Sequence, residues 1–240
     1  MPESPPLLIL IHGSWLGGWC WQRLAGSLTD RGWRVASPTL TGLGDRQHLG
    51  GAATGLSDHV ADILSVLDFA EPGPVILAGH SYGGLVAAEV AALRPDRVSD
   101  LVVIDGPIAT KGQSLFDQVP EMGTLFNAIA RDGMVPPPDA AFLGLDPGDS
   151  VTEWTLSRLR PMPLRTHAEP ARYGAGALVC RRHYLRFTDF PPTGPLAALA
   201  QKDGWQVAEV AAGHTAIVTH PEPVAHALTH LLRSEPGSPA

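Results

Sequence analysis

A serine enclosed by glycines is the first feature of this sequence that could carry out covalent chemistry. The run Gly79-His80-Ser81-Tyr82-Gly83 follows an apolar segment, residues 75–78, and precedes an Ala/Leu/Val-rich segment that continues to residue 93. This order predicts a strand, a sharp turn and a helix, the context in which a G-x-S-x-G pattern exposes its serine hydroxyl on an elbow. Glycines suit such a turn because a Cβ would collide there. The alternative is that Ser81 only caps the helix.

A serine hydroxyl becomes a good nucleophile when a base accepts its proton, and the base is best oriented by a carboxylate. His214 follows the last apolar run of the sequence, in a glycine-containing loop, and we predict that it is the base. Asp105 and Asp189 each end a predicted strand between Ser81 and His214. The carboxyl ends of parallel strands collect functional groups, so both acids qualify and the residues alone leave the choice open.

Two backbone N–H groups are candidates to bind the negative charge that develops when a serine attacks a carbonyl. The Tyr82 amide lies at the predicted start of a helix, where unpaired N–H groups and the helix dipole favour an anion. The Ser14 amide lies in the Gly-rich loop after the first predicted strand, and we expect it to be the second donor. Gly13, Trp15 and Trp19 of this loop are predicted to contact substrate. The alternative is a glycine-rich turn that binds no ligand.

Two other patterns suggest a cofactor or a metal at first sight. Gly42-Leu43-Gly44 begins like a dinucleotide-binding fingerprint, but Gln47 stands where the third glycine is needed. His226 and His230 are four residues apart, but Ala227 stands where a zinc protease has glutamate. We therefore predict neither a cofactor nor a metal ion.

The overall composition limits the class of protein and its partners. The chain has 240 residues, of which 44% are hydrophobic and 17% charged, which fits one globular domain with an insertion. Its net charge of −7 argues against nucleic acid and against an anionic membrane as partners. Cys20 and Cys180 match no metal or redox spacing, which favours reduced thiols. The N-terminus lacks the basic region of a signal peptide, so we expect a cytoplasmic protein. We also expect a monomer or a homodimer.

The apolar pattern predicts an α/β fold, with a mostly parallel sheet flanked by helices and a helical cap insertion. Residues 1–106 and 178–240 are predicted to form the core, and residues 107–177 the cap, where prolines cluster. Helices are expected at residues 21–31, 56–69 and 221–232, with Ser57 as the cap of the second, and shorter ones in the insertion at 113–116 and 122–131. The end of the chain, residues 234–240, is predicted to fray.

Three stretches, HGSWLGGWCW, GHSYGG and AAGHTAIVTHPE, resemble the α/β-hydrolase superfamily, most closely its small serine esterase branch. That branch includes plant methyl esterases, hydroxynitrile lyases and bacterial relatives. Bacterial members have an L-D-A-F-like stretch where this chain has Ile104-Asp105-Gly106-Pro107, and many have no acid at the position of Asp189. The resemblance therefore implies that Asp105 is the triad acid, whereas plant members place the acid near Asp189. The hydroxynitrile lyases have a threonine where this chain has Gly13 and a lysine where it has Thr215. Since this chain has neither, the resemblance implies ester hydrolysis.

The sequence thus predicts a serine hydrolase that cleaves a carboxylic ester of a small, largely apolar substrate through an acyl-enzyme. The alternatives are a lyase, cyclase or acyl transferase that uses the same triad, or a homologue that binds a small ligand with little turnover. Aromatic side chains of the insertion are expected to roof the pocket, although each alone could equally be plain core. They are Phe116, Phe126, Phe142 and Trp154.

Overall fold

A computed structural model describes residues 5–233 of the chain. The strands are β1 Leu7–Ile11, β2 Arg34–Ala36, β3 Val75–His80, β4 Val98–Ile104, β5 Met134–Val135, β6 Met162–Pro163, β7 Arg181–Phe187 and β8 Gln206–Val210. The helices are α1 Gln22–Asp30, α2 Leu56–Phe69, α3 Gly83–Leu93, α4 Leu115–Gln118, α5 Pro120–Ile129, α6 Ser150–Leu156, α7 Arg165–Ala168, α8 Gly194–Lys202, α9 Ala216–Thr219 and α10 Pro221–Arg233.

The main sheet has six strands in the order β2-β1-β3-β4-β7-β8, and all of its pairings are parallel. Strands β1 and β3 are almost wholly buried, as expected for parallel strands covered on both faces. Helix α3 packs on β3 and β4, α2 packs on α3, and α1 packs on α10. The predicted fold class is therefore confirmed. Since β3 is flanked by β1 and β4, the ends of all three strands meet where Ser81 follows β3.

The segment between β4 and β7 contributes no strand to the main sheet in the part of the chain that the structure describes. It contains helices α4 to α7 and a two-residue antiparallel pairing of β5 with β6. The side chain of Glu89, buried in α3, accepts the backbone N–H groups of Arg172 and Tyr173 at 3.0 and 2.7 Å. These bonds fasten the end of this segment, called the cap here, to the core. The division at residues 107 and 177 stays a prediction.

The observed elements differ from the predicted ones at helix α8 and at the start of helix α2. Helix α8 was not predicted, because Gly194-Pro195 looks like a break, although proline is well suited to the first turn of a helix. Helix α2 begins at Leu56, so Ser57 is not its cap; Gly55 holds that position and its N–H donates to Asp58. The tail predicted to fray, residues 234–240, lies outside the described residues.

Between residues 5 and 233, no helix is both long enough and apolar enough to cross a membrane.

Candidate active site

Ser81 lies in the sharp turn between β3 and α3, with a φ of 54°. This left-handed conformation is strained for a residue with a Cβ, and such strain is characteristic of functional sites. Neighbouring backbone crowds the turn: a Cβ on Gly106 would lie 2.5 Å from the Ser81 carbonyl oxygen, and one on Gly79 would collide with Gly83. Ser81 itself stays partly exposed. The elbow geometry is therefore the one that the sequence predicts.

His214 and Asp105 meet above the carboxyl ends of the strands. The Nδ1 atom of His214 lies 2.7 Å from Oδ2 of Asp105. The other carboxylate oxygen accepts the N–H of Phe187 at 3.1 Å and the hydroxyl of Thr193 at 2.5 Å. Asp105 is buried, whereas the His214 side chain is 20% exposed. A buried, fully hydrogen-bonded carboxylate of this kind fixes the ring so that its Nε2 atom is free for a proton.

Asp189 makes no hydrogen bond or ion pair with His214. Its side chain is exposed and accepts the Thr188 hydroxyl at 3.2 Å. The structure thus brings Asp105, and not Asp189, to the histidine.

The Ser81 hydroxyl makes no hydrogen bond to any described residue, so its bond to His214 is not formed in this structure. His214 nonetheless lies near Ser81, because it contacts His80, the residue that directly precedes Ser81. The His80 Nε2–H donates to the His214 carbonyl at 2.8 Å, and the two imidazole centroids lie 4.7 Å apart. Catalytic hydrogen bonds are often long or misaligned before substrate binds, so transfer of the Ser81 proton requires this bond to form in the complex.

His12 fixes the orientation of the loop that carries Ser14. The Leu40 N–H donates to His12 Nε2 at 3.0 Å, so Nδ1 carries the proton and donates to the Gly13 carbonyl at 2.9 Å. In a trans peptide the N–H of Ser14 is directed opposite to that carbonyl. Burial lowers the pKa of His12 to about 4, which keeps the ring neutral and this pattern intact at neutral pH.

The two predicted oxyanion donors have free amides. Neither Ser14 N–H nor Tyr82 N–H donates a hydrogen bond to another described residue. Tyr82 holds the N-cap position of α3, where such a donor is expected. Gly13 approaches Ser81 so closely that a Cβ on it would lie 3.0 Å from the Ser81 Cβ. The Ser14 loop and the elbow therefore adjoin each other.

Trp15 lies between the Ser14 loop and the cap. Its ring is buried, makes edge contacts with Phe126 and Phe142 at centroid distances of 5.4 and 5.9 Å, and donates its indole N–H to the Val135 carbonyl at 3.3 Å. Its φ of 61° is again in the left-handed region. The Arg160 N–H donates to its carbonyl at 3.1 Å. Trp15 thus joins the core to the cap at the predicted pocket.

Trp19 faces a different part of the surface. It makes an edge contact with Trp154 at 5.1 Å and lines a groove of about 440 Å³ with Asp45 and Arg158. Neither Ser81 nor His214 lines that groove. The predicted contact between Trp19 and substrate therefore stays a prediction, because the groove beside Trp19 does not include Ser81 or His214.

Sequence reasoning missed His167, a cap residue that is 1% exposed and contacts Ser14 and Tyr82, the two predicted oxyanion donors. Its Nε2 atom lies 2.8 Å from the Ser14 hydroxyl oxygen, and its ring stacks on Tyr82 with centroids 4.8 Å apart. The chain separation of 153 residues leaves no local pattern that could reveal this contact.

The described residues contain no group of three or more His, Cys, Asp or Glu side chains arranged to hold a metal ion. His226 and His230 are exposed on α10.

The sequence pattern of the Alpha/beta hydrolase family matches residues 8–227 of this chain. A carbendazim-hydrolysing esterase from Nocardioides sp. (strain SG-4G) is 33% identical, over 93% of this chain and 98% of that protein. A putative methylesterase 15 from Arabidopsis thaliana, described as chloroplastic, is 26% identical over 74% of this chain and 44% of its own length. An extracellular α/β-hydrolase from a Paenibacillus species has a TM-score of 0.82 at 21% identity, over 96% of this chain and all of that one.

This chain belongs to the α/β-hydrolase family. The resemblance inferred from the sequence motifs is confirmed, because the family pattern spans nearly all of the chain and the named relatives are esterases and methylesterases.

Proposed function

We propose that this protein is a carboxylic ester hydrolase in which Ser81 is the nucleophile, His214 the base and Asp105 the orienting acid. The observation that carries the proposal is the buried Asp105 carboxylate bound to His214 at 2.7 Å, beside a strained and partly exposed serine. The 33% identity to an esterase over almost the full length of both chains supports ester hydrolysis. The order of serine, acid and histidine along the chain is also the order found on this fold.

The reaction divides into acylation and deacylation. The Ser81 oxygen attacks the ester carbonyl carbon while its proton passes to His214 Nε2. The carbonyl oxygen becomes negative and is bound by the free amides of Ser14 and Tyr82. Collapse breaks the bond to the alcohol oxygen, which leaves with the proton from His214. Water then loses its proton to His214, attacks the acyl-enzyme and releases the acid, and the proton returns to Ser81.

The preferred ester is small and largely apolar. Trp15 and its aromatic partners Phe126 and Phe142 lie next to the Ser14 loop and offer an apolar surface to an acyl or alcohol group. Gly13 approaches Ser81 closely and leaves little room on that side. The proposal includes a cytoplasmic location, with which the free thiols of Cys20 and Cys180 are compatible.

A panel of p-nitrophenyl and methyl esters with acyl chains of increasing length tests this proposal. We expect hydrolysis with a burst of p-nitrophenol equal to the enzyme concentration, and the highest kcat/KM for short apolar chains. Ser81→Ala should lose at least 10⁴-fold in kcat, since nucleophilic catalysis through a triad contributes on that scale. Hydrolysis that survives Ser81→Ala would contradict the proposal.

A further inference from the structure

We propose that His167 is a positioning residue for the oxyanion hole. It lies in helix α7 of the cap. It holds the Ser14 hydroxyl and the Tyr82 ring at the same time, and so fixes the two residues whose amides are to bind the oxyanion. This inference rests on the esterase function proposed above and adds a residue outside the triad.

The hydrogen bonds of Thr166 determine which nitrogen of His167 carries the proton. The Thr166 hydroxyl lies 2.7 Å from the Pro163 carbonyl, which can only accept. The hydroxyl therefore donates there and accepts from His167 Nδ1–H, also at 2.7 Å. The Nε2 atom is left as an acceptor, so the Ser14 O–H donates to it at 2.8 Å. The three hydrogen bonds therefore all run in the same direction, from Ser14 to His167, from His167 to Thr166 and from Thr166 to Pro163.

Aromatic rings enclose the same imidazole. Tyr82 stacks on it with an interplanar angle of 12°, and Phe116 and Phe126 lie 6.0 and 5.8 Å away. The far end of Tyr82 is also fixed: the His59 Nε2–H donates to the Thr41 carbonyl at 2.8 Å, so the Tyr82 hydroxyl donates to His59 Nδ1 at 2.9 Å. His167 thus supports the elbow residue through its ring and the loop residue through its nitrogen.

This arrangement also excludes a rival role for Ser14. A serine bonded to a histidine could serve as a second nucleophile, but that requires a competent base. Burial among apolar rings lowers the pKa of His167 to about 3, so the ring is a weak base at neutral pH. The same burial preserves the neutral form, whose Nε2 atom accepts the hydrogen bond from the Ser14 hydroxyl. The pair is therefore suited to holding a loop and not to activating a hydroxyl.

A double-mutant cycle between Ser14→Ala and His167→Phe tests the inference. Ser14→Ala keeps the amide and removes the hydroxyl, and His167→Phe keeps an aromatic ring and removes the acceptor. For a p-nitrophenyl ester we expect each variant to lower kcat about 10- to 100-fold, with KM changed less than about threefold, because only transition-state binding is lost. The kcat of the double variant should be no lower than that of the less active single variant, because both substitutions remove the same Ser14–His167 hydrogen bond.

An inhibitor that forms an oxyanion separates positioning from a general structural role. A trifluoromethyl ketone adds to the nucleophilic serine and generates an oxyanion in the hole, whereas a neutral alcohol with the same carbon skeleton binds without one. We expect the ketone to lose affinity by the same factor as kcat, and the affinity for the alcohol to change less than threefold. Thr166→Val should cause a smaller loss of the same kind, and Thr166→Ser should restore wild-type values. His226→Phe, an exposed site on α10, is the matched control.

The inference is wrong if folded Ser14→Ala and Thr166→Val variants keep the wild-type kcat, or if these substitutions change only KM. It is also wrong if the free-energy losses of Ser14→Ala and His167→Phe, calculated from kcat, are additive in the double variant. Should His167→Phe not fold, Ser14→Ala and the Thr166 pair still decide the question. Failure of the proposed function has a different signature: a fluorophosphonate would not label Ser81 in the wild-type protein. Labelled Ser81 with unchanged kcat in the variants would overturn the His167 inference alone.

Discussion

His214 Nδ1 lies 2.7 Å from Asp105 Oδ2, although 109 residues separate the two in the chain. Strands β4 and β7 are neighbours, and the amide N–H of Asp105 donates to the Leu185 carbonyl of β7 at 2.7 Å. Asp105 then adopts a φ of 47°, which turns its backbone at the end of β4. Aspartate tolerates this region better than most residues, which suits it to the position.

The first prediction concerns the acid. Asp105→Asn should lower kcat about 10⁴-fold with little change in KM, because an amide no longer holds the Nδ1–H form of His214. Asp189→Asn is the matched control and its kcat should stay within about threefold of the wild type, since Asp189 is exposed and makes no hydrogen bond or ion pair with His214. Steady-state kinetics with one p-nitrophenyl ester measure both. If Asp189→Asn lost kcat and Asp105→Asn kept it, Asp189 would be the residue that orients His214.

The second prediction concerns the space between Gly13 and the nucleophile. A Cβ at Gly13 would lie 3.0 Å from the Ser81 Cβ and 3.2 Å from His80, so Gly13→Ala should displace the elbow or the loop and lower kcat/KM at least tenfold. Gly26→Ala is the control, because Gly26 lies in α1 with open space around it. It should keep full activity and raise the free energy of unfolding by about 0.5–1 kcal/mol. Equal activity of the two variants would refute this reading of Gly13.

The third prediction concerns stability at acid pH. The pKa of His167 is about 3 in the folded protein, below the value of about 6.5 expected in the unfolded chain. The unfolded state then binds the extra proton, so this stabilisation is complete above pH 6.5 and is lost as the pH falls towards 3. His167→Phe should flatten the pH dependence of the unfolding free energy by about 1.4 kcal/mol per pH unit between pH 5.5 and 4.5. Urea titrations of variant and wild type at both pH values measure the difference; identical slopes would show that the folded-state pKa is not lowered.

The fourth prediction concerns the attachment of the cap. Glu89→Ala removes the buried acceptor of the Arg172 and Tyr173 N–H groups, and each lost hydrogen bond typically costs about 0.5–1.5 kcal/mol. Hydrogen exchange should become faster across residues 165–178, with little change in the strands of the main sheet. Glu153→Ala, at an exposed position of the cap, should leave exchange there unchanged. Unchanged protection in Glu89→Ala would mean that the cap is fastened elsewhere.

Much of the fold could be read from local sequence patterns. Helix α2 spans the predicted residues 56–69, because its apolar residues recur with a helical period. Strand β1 coincides with the unbroken apolar run of residues 7–11. Elements that start with unusual residues, such as α8, whose first two residues are Gly194-Pro195, are not predicted by such reasoning.

The site was predictable only where the chemistry has a local signature. The elbow around Ser81 has one, since glycine spacing reflects backbone crowding in a single turn. The choice between Asp105 and Asp189 has none, because it depends on which strand end lies under the His214 loop. His167 was missed for the same reason: its contacts with Ser14 and Tyr82 arise when the cap folds onto the core.

Intact mass spectrometry after brief exposure to a fluorophosphonate tests the central claim most directly. If Ser81 is the activated nucleophile, the wild-type protein should gain one adduct, and peptide mapping should place it on Ser81. The Ser81→Ala variant should gain none, while Asp189→Asn should react as fast as the wild type. A wild-type protein that stays unlabelled, or that is modified on a residue other than Ser81, would contradict the account.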